Sequence, residues 1–325
     1  MTLVFGTRLS VLVTSSCSMI YIILNNFMKT IIIILIMLTA STISGQELSP
    51  RAYWPAPNGT KLCILGYSHS WGDVLMDPSL PITGVDSRIH VGILAYQQTI
   101  NFFGSTSKFV IEIPYVIGNL KGFLDGEPRT RNISGFSDIG LTLSANLIGA
   151  PSMTPSEFLE LLNSPHPILG ASVKILVPSG HYEKDRLINV GTNRWAIKPE
   201  LGFMMPLNDK WLFELELGVW FFADNDEFLG VTRKQKPITA TEIHIVRRFK
   251  PGFWAALDLN FYTGGQTIVN GKLGADLQRN SRFGITLVYP IARNQSLLAG
   301  FSKGVVTKSG EDFFSILLTY NLLLN

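Results

Sequence analysis

The chain has 325 residues, of which 16% are charged and 11% are aromatic, and its formal net charge is +3. This charge is small and is not gathered into a block of Lys and Arg, which argues against a nucleic-acid-binding protein. The charged fraction also lies below the roughly 25% of average soluble domains. Cys63 is the one cysteine outside the leader described next, so we expect no intramolecular disulfide in the mature chain.

Residues 1–45 are predicted to be a leader that is removed from the mature protein. The stretch MKTIIIILIMLTASTISG, residues 28–45, has a positive start, an apolar centre and a small-residue exit, as a secretory signal peptide does. Its apolar centre is much shorter than the roughly 20 residues that a spanning helix needs. We take Met28 as the true start, and an unusually long leader is the alternative. Residues 46–325 then form a single domain.

Period-two alternation of apolar side chains recurs along the mature chain. It predicts β-strands, because successive residues of a strand point to opposite faces. Each predicted strand has about 11–13 residues, enough to cross a membrane at a tilt. About twelve strands are predicted in this way, near residues 60–71, 87–98, 107–118, 137–149, 167–178, 193–205, 210–222, 237–249, 252–263, 280–290, 295–306 and 312–324.

The connections between these strands alternate between short and long. Short ones follow the second, sixth, eighth and tenth strands, whereas those after the odd-numbered strands are longer and rich in Gly, Pro, Asp and Asn. The exception follows the fourth strand, where we predict a short helix over residues 155–162, capped by Thr154 or Ser156, with an irregular loop as the alternative. An even strand count with this alternation is typical of an all-β fold, an up-and-down antiparallel transmembrane β-barrel.

Aromatic residues test the membrane interpretation independently. Trp211 and Phe221 lie ten residues apart on one predicted strand face. At about 3.3 Å per residue and a tilt near 45° this spacing spans roughly 23 Å, close to the height of the lipid-facing band of such barrels. A lipocalin-like barrel or a large sandwich, the soluble alternatives, would not bracket its apolar face with aromatics. The predicted aromatic girdle consists of Trp195, Phe203, Trp211, Phe221, Phe253 and Phe261.

The polar faces of the strands would point into the lumen of such a barrel. Charges of both signs occur there, which leaves two interpretations open. Either they line a polar pathway and set its selectivity, or they pair with one another and fill a narrow barrel, because unpaired buried charge is costly. The predicted lumen-facing residues are Arg88, His90, Glu112, Lys174, Lys198, Glu200, Glu214, Glu216, Glu242, His244, Asp258 and Arg282.

Catalytic and metal-binding motifs are not evident. Glu214 and Glu216 would lie about 6.5–7 Å apart on one strand face, near the separation of glycosidase carboxylates, but such pairs arise on any polar strand face. The acidic stretch 224–227 lacks the glycine and the distal glutamate of a helix-loop-helix calcium loop, so we predict a solvated external loop. The five histidines show no metal-ligand spacing. We therefore predict no enzyme activity, no cofactor and no metal site.

Several stretches resemble a known family, among them RAYWPAPNGTK, GDVLMDPSLPI, DSRIHVG, GFLDGEPRTRNISGFSDIGLTLSANLIGAP, RLINVGTNRWAIKPELG, FFADNDEFLG, QRNSRFG and GVVTKSGEDF. Over essentially residues 50–325 the chain resembles the transporter-like outer-membrane family named for the MetA pathway of phenol degradation. The resemblance implies a secreted barrel in the outer membrane of a Gram-negative bacterium, without a catalytic motif. The partners it implies are membrane lipid, the barrel-insertion machinery and small, often aromatic or hydrophobic, solutes.

Two functions are compatible with these features. The first is a porin-like channel or transporter for small organic solutes. The alternative is a non-conducting outer-membrane barrel with a structural, adhesion or recognition role, in which the long external loops are the working part. These loops are predicted near residues 72–86, 119–136, 179–192, 223–236 and 264–279.

Overall fold

The computed structural model describes residues 49–73, 82–124, 126–306 and 313–324. The predicted leader, residues 1–45, lies outside these ranges, as does most of the predicted loop near residues 72–86. Among the described residues, none of the helices is both long and apolar enough to span a membrane.

The described part of the chain is almost entirely β-structure, with a single short helix, α1 (Pro155–Asn163). The strands are, in chain order, β1 (Lys61–Gly72), β2 (Ile82–Phe102), β3 (Ser105–Leu124), β4 (Glu127–Phe136), β5 (Ile139–Ile148), β6 (Ile168–Val177), β7 (Ala196–Pro206), β8 (Trp211–Phe222), β9 (Asn225–Phe228), β10 (Val231–Gln235), β11 (Ile238–Lys250), β12 (Phe253–Gly264), β13 (Thr267–Val269), β14 (Lys272–Leu273), β15 (Gln278–Ala292), β16 (Gln295–Val306) and β17 (Phe313–Leu324).

A closed antiparallel barrel of 12 strands is the main body of the fold. Its order is β2-β1-β17-β16-β15-β12-β11-β8-β7-β6-β5-β3, and β3 pairs back onto β2 to close the ring. The first strand therefore pairs with both its sequence neighbour and the last strand. This topology confirms the predicted up-and-down barrel, and all twelve predicted strands are present with ends shifted by a few residues.

The predicted helix is also present and begins where the sequence indicates. The Thr154 hydroxyl accepts a hydrogen bond from the backbone N–H of Glu157, and the Glu157 carboxylate accepts one from the backbone N–H of Thr154. This reciprocal capping box and the proline at the first helical position fix the start of α1. The helix lies in the connection between β5 and β6, at the end of the barrel that carries the short turns and is therefore periplasmic.

The strands β3, β4 and β5 differ from the prediction. The predicted external loop 119–136 is instead the upper half of β3 followed by β4, which pair over Tyr115–Leu124. The lower half of β3 pairs with β5, so β4 and β5 together line the same edge of β3. Most side chains of β4 are exposed, including one whole face, and the other face carries a single buried apolar residue, Ile133. The strand β4 therefore lacks the apolar alternation by which the others were recognised.

Two of the predicted external loops contain short hairpins. The strands β9 and β10 follow β8, and β13 and β14 follow β12, and together they form a second sheet in the order β14-β13-β10-β9. Each of these strands has 5 residues or fewer, which is too short for an alternation pattern to be visible. The long connections at this end of the barrel are therefore partly ordered.

The barrel is apolar outside and polar inside. On β8 the outward Leu217 and Phe221 are 49% and 45% exposed, whereas the inward Glu214 and Glu216 are each 3% exposed. A soluble barrel requires the opposite arrangement, because water would contact the outer face. The structure therefore fits a barrel whose outer face contacts lipid.

Candidate functional site in the barrel lumen

The segment of residues 49–60, here called the plug segment, precedes β1 and enters the lumen from the periplasmic end. The backbone N–H of Arg51 donates a hydrogen bond of 2.7 Å to Oε2 of Glu214 on β8. Lys108 of β3 donates through Nζ to the carbonyl oxygen of Ala52 at 2.7 Å. These bonds join the plug segment to two separated parts of the barrel wall, so the segment crosses the lumen.

Tyr53 is the best-fixed side chain of the plug segment. Its hydroxyl donates to Oε1 of Glu200 at 3.1 Å and lies at hydrogen-bond distance, 3.0 Å, from the Ser172 hydroxyl, and the residue is 5% exposed. The ring lies directly against Gly170 of β6 and Gly202 of β7, where a Cβ atom at either position would overlap the ring. Two glycines on adjacent strands thus leave the space that one tyrosine fills.

Below Tyr53, apolar side chains close the periplasmic end of the lumen. Trp54 lies 7% exposed against side chains from the barrel wall and from the connection that contains α1. The Arg51 guanidinium lies over the rings of Trp54 and Trp254, at 4.3 Å and 5.1 Å from their centres. We call this group the basal cluster, and its buried members are Trp54, Ala150, Met153, Leu161, Ile168, Met204, Leu212, Val246, Trp254, Ala256 and Val288.

Charged residues form a layer above the basal cluster. Lys174 contacts Glu112 at 2.9 Å, and Lys198 contacts Glu200 at 2.8 Å with both side chains less than 10% exposed. His244 donates or accepts through Nδ1 a hydrogen bond of 2.7 Å with Oδ1 of Asp258. Ten of the twelve predicted lumen residues lie on inward strand faces in the described structure: Glu112, Lys174, Lys198, Glu200, Glu214, Glu216, Glu242, His244, Asp258 and Arg282.

Arg88 and His90 lie on the outer face of β2 instead of the lumen face. The buried Ser87 and Ile89 occupy the inward positions on either side of Arg88. His90 stacks on His69 with ring centres 4.3 Å apart, and its Nδ1 is 2.7 Å from the Tyr67 hydroxyl. This part of β2 pairs with the upper end of β1, where the outer face carries polar and aromatic residues, so polarity alone does not indicate the lumen there.

The connection between β6 and β7, residues 178–195, here called the mouth loop, folds over the external mouth of the barrel. Asp138 accepts hydrogen bonds from the backbone N–H groups of Gly180 and Thr192, both at 2.9 Å. Val190 packs into an apolar group that we call the mouth cluster. Its buried members are Ile89, Val116, Leu120, Ile133, Val190 and Phe313. Apolar groups therefore lie on both sides of the charged layer.

The six predicted girdle residues all lie on the outer surface, at strand positions or beside a strand end. Trp195 directly precedes β7 and is 54% exposed. Near the periplasmic end, the Arg247 guanidinium lies 5.0 Å from the centre of the Trp211 ring, and Phe253 contacts Tyr289 edge-on with centres 5.3 Å apart. Aromatic and basic side chains are placed here as at the interfaces of membrane barrels.

The acidic stretch that follows β8 contains part of the external sheet. Asp224 pairs with Lys234 at 2.5 Å, and Asp226 accepts a hydrogen bond from the Thr232 hydroxyl at 3.0 Å. Asn225 is 1% exposed and bonds to Tyr182 and to the Thr192 carbonyl. These side chains serve to hold the external hairpin and the mouth loop together.

The closed ring of strands, the apolar exterior and the charged interior define an outer-membrane β-barrel. The chain belongs to the family described as "Putative MetA-pathway of phenol degradation", whose model matches residues 75–316. The resemblance seen in the loop sequences is thereby confirmed.

One of the solved structures that resemble this chain supports the same fold. The chain is similar to an outer membrane channel from Pseudomonas putida F1, with 20% identity, a TM-score of 0.71, and 86% of this chain and 100% of that chain covered. The transport unit of the autotransporter AIDA-I from Escherichia coli gives 11% identity, a TM-score of 0.47 and coverage of 86% and 93%. The toluene transporter TodX of P. putida gives 10% identity, a TM-score of 0.43, and coverage of 83% of this chain and 91% of that chain. A comparison with the curated proteins found no match.

The plug segment is the part of the site that sequence reasoning missed. Its residues RAYWPAPNG precede the first strand and have no alternation, so nothing in their periodicity assigns them to a structure. A usable signal was the pair of aromatic residues Tyr53 and Trp54, because a simple periplasmic tail would not need two large aromatic side chains. Gly170 and Gly202, both at inward positions of adjacent strands, were the complementary signal.

Proposed function

We propose that this barrel is an outer-membrane channel for small organic solutes, with the plug segment as its barrier. The observation that carries the proposal is the way the plug segment is held. Residues 51–54 are bound by hydrogen bonds that involve side chains of the wall and by apolar contacts, and they are not a strand of the barrel, whereas residues 58–60 are anchored by backbone hydrogen bonds to Thr99 and Met153. Residues 51–54 can therefore leave the lumen while every strand pair of the barrel remains intact.

The solutes that fit best are small, apolar or aromatic molecules that carry few polar groups. The basal cluster and the mouth cluster present apolar surface on both sides of the charged layer, so such a solute finds an apolar site before and after it. Membership of a family named for phenol degradation favours the same solute class.

The proposal includes how the chain reaches the membrane and what it does there. We take residues 1–45 to be cleaved on secretion and residues 46–325 to be inserted by the barrel-insertion machinery into the outer membrane of a Gram-negative bacterium. We also take the barrel to have no enzymatic activity: Glu214, which could form a carboxylate pair with Glu216, is bonded to the plug segment.

The test is solute entry into liposomes that contain the purified mature chain. Phenol or toluene entry should exceed that through protein-free liposomes, and Tyr53→Ala should increase it severalfold because the substitution removes the main plug contact. Leu159→Ala, an exposed position of α1, is the matched control and should leave entry unchanged. Absence of entry for both the wild-type chain and Tyr53→Ala would refute the channel.

A recognition role is the second candidate function, and the ordered external sheet favours it. A cavity of about 610 Å³ lies between the mouth loop and the hairpin after β8, lined by Lys184, Asp185, Asp226, Glu227, Leu229 and Gly230. Removing the hairpin at residues 225–235 separates the two functions. If the protein is a channel, solute still enters through this variant. If its role is recognition, the variant loses adhesion or surface recognition while solute entry is unchanged.

A further inference from the structure

Two buried glutamates face each other across neighbouring strands of the lumen wall. Glu216 of β8 and Glu242 of β11 are direct cross-strand partners, and they are 3% and 1% exposed. Like charges at directly opposed positions destabilise a sheet, and burial strengthens their repulsion. The Tyr262 hydroxyl donates a hydrogen bond of 3.3 Å to Oε1 of Glu242, and a cation shared between the two carboxylates would offset their repulsion further.

His244 lies two residues from Glu242 on the same face of β11, and a hydrogen bond on the other side of its ring fixes its orientation. Its Nδ1 is 2.7 Å from Oδ1 of Asp258, whose Oδ2 accepts a hydrogen bond of 2.7 Å from the Thr286 hydroxyl. An ionised carboxylate only accepts hydrogen bonds, so Nδ1 carries the proton and the lone pair of the neutral ring is at Nε2. Histidines that bind metal ions are held by carboxylates in this way.

The Nε2 atom of His244 points into the group of glutamates without a hydrogen bond. The imidazole is 0% exposed, Nε2 has no hydrogen-bond partner, and its distance to Oε2 of Glu242 is 3.8 Å. This distance is too long for a hydrogen bond. The distance is compatible with both atoms binding one metal ion that lies between them, at about 2.0–2.2 Å from each.

We propose that Glu216, Glu242 and His244 bind a divalent transition-metal ion inside the barrel, with Asp258 as the residue that positions His244. One ligand atom from each of the three lies within 4.8 Å of the others. One imidazole and two carboxylates suit a first-row ion such as Zn²⁺ better than Ca²⁺ or Mg²⁺, which prefer all-oxygen sites. The ion would link β8 to β11 at the level of the charged layer.

The neighbouring charges are compatible with such an ion. Lys198 lies 2.8 Å from Glu200, and the Arg51 guanidinium is stacked between two tryptophan rings of the basal cluster. Glu214, next to the site on β8, accepts the backbone N–H of Arg51. The metal site therefore borders Glu214, the residue that anchors the plug segment.

The test is titration of the folded, chelator-treated mature chain with Zn²⁺ by calorimetry, and with Co²⁺ by visible absorption. We expect one ion per chain and a Co²⁺ spectrum of a site with nitrogen and oxygen ligands. His244→Ala and Glu242→Gln should abolish this binding. Asp258→Asn should keep the stoichiometry and weaken the affinity by about 10–100-fold, the usual effect of losing a carboxylate behind a ligand histidine.

The controls separate loss of the site from loss of the fold. Glu112→Gln removes a lumen carboxylate that pairs with Lys174 outside the site and should bind Zn²⁺ as the wild type does. Heat-dependent migration on gels verifies that each variant is a folded barrel. Binding that is absent from the folded wild type, or unchanged in His244→Ala and Glu242→Gln, would overturn the proposal. Because metal binding is measured without solute, its failure leaves the channel function untouched.

Discussion

At the scale of single residues, the contact between Tyr53 and the two glycines determines whether the lumen is closed. The tyrosine ring fills the volume that side chains at Gly170 and Gly202 would take, and its hydroxyl bonds to groups on the same two strands. Because neither glycine has a positive φ, the space beside the ring, and not the backbone conformation, is what requires glycine there.

Gly202→Ala should therefore loosen the plug segment without disturbing the barrel. The added methyl group overlaps the Tyr53 ring, and the plug can relieve the overlap by leaving. We expect faster cleavage of the detergent-solubilised protein after Arg51 by trypsin, since that bond becomes accessible only outside the lumen. Gly300→Ala is a matched control, because its Cβ would meet only ordinary contacts at 3.5 Å or more. Equal cleavage rates in the two variants would contradict this account.

The buried ion pair of Lys198 and Glu200 gives a second prediction at this scale. Lys198→Met leaves the Glu200 carboxylate without its cation and should lower the free energy of unfolding by about 3–5 kcal/mol. Adding Glu200→Leu should recover most of that loss, because an apolar pair needs no compensation. Urea unfolding in detergent measures both values. A double variant no more stable than Lys198→Met would show that the pair is not the origin of the effect.

At the scale of elements, the mouth loop is held by hydrogen bonds to β4 and to the β4–β5 junction. The Arg131 guanidinium bonds to Glu183 at 2.6 Å and lowers the pKa of that carboxyl below its ordinary value of 4.5. A lowered pKa means that this contact stabilises the docked loop at pH values above 4.5. The contribution disappears as the pH falls through the lowered pKa.

The mouth loop should accordingly exchange its backbone amide hydrogens more readily in acid. We expect protection of residues 183–190, measured by hydrogen-exchange mass spectrometry and corrected for the intrinsic pH dependence, to fall below pH 4.5. Glu183→Gln should have low protection at every pH and should lack this transition. The same transition in Glu183→Gln would assign the effect to another group.

An element could be predicted from the sequence when its two faces contact different surroundings. All barrel strands were predictable, since lipid on one side and the lumen on the other impose alternation on strands such as β8. The strand β4 was missed because one of its faces is exposed and the other has Ile133 as its single buried apolar residue. The external hairpins were missed because they are short. The plug segment has neither alternation nor length, and its position depends on contacts with strands distant in sequence.

The inward orientation of the candidate-site residues could be predicted, whereas their contacts with one another could not. Inward positions such as Glu214 and Asp258 follow from alternation alone. Which of them meet does not, because Glu216, Glu242 and Asp258 come from three strands whose register is not visible in one sequence. Spacing rules for metal ligands apply along a chain, and therefore missed a histidine and two glutamates brought together across strands.

At the scale of the whole molecule, the protein is a membrane barrel whose lumen is crossed by the plug segment. The barrel wall satisfies its backbone hydrogen bonds without the plug segment, since the ring of strands is complete. The charged layer, the basal cluster and the plug segment then decide what passes. This division predicts that the barrier can be removed while the barrel persists.

Ion conductance across a planar lipid bilayer measures whether the plug segment is the barrier in the lumen. The comparison is between the mature chain and a variant in which the plug residues 49–56 are deleted, each verified as a folded barrel by heat-dependent migration. We expect small or intermittent conductance for the mature chain and a larger, steady conductance for the deletion variant. Equal conductance from both proteins, or none from the folded deletion variant, would contradict it.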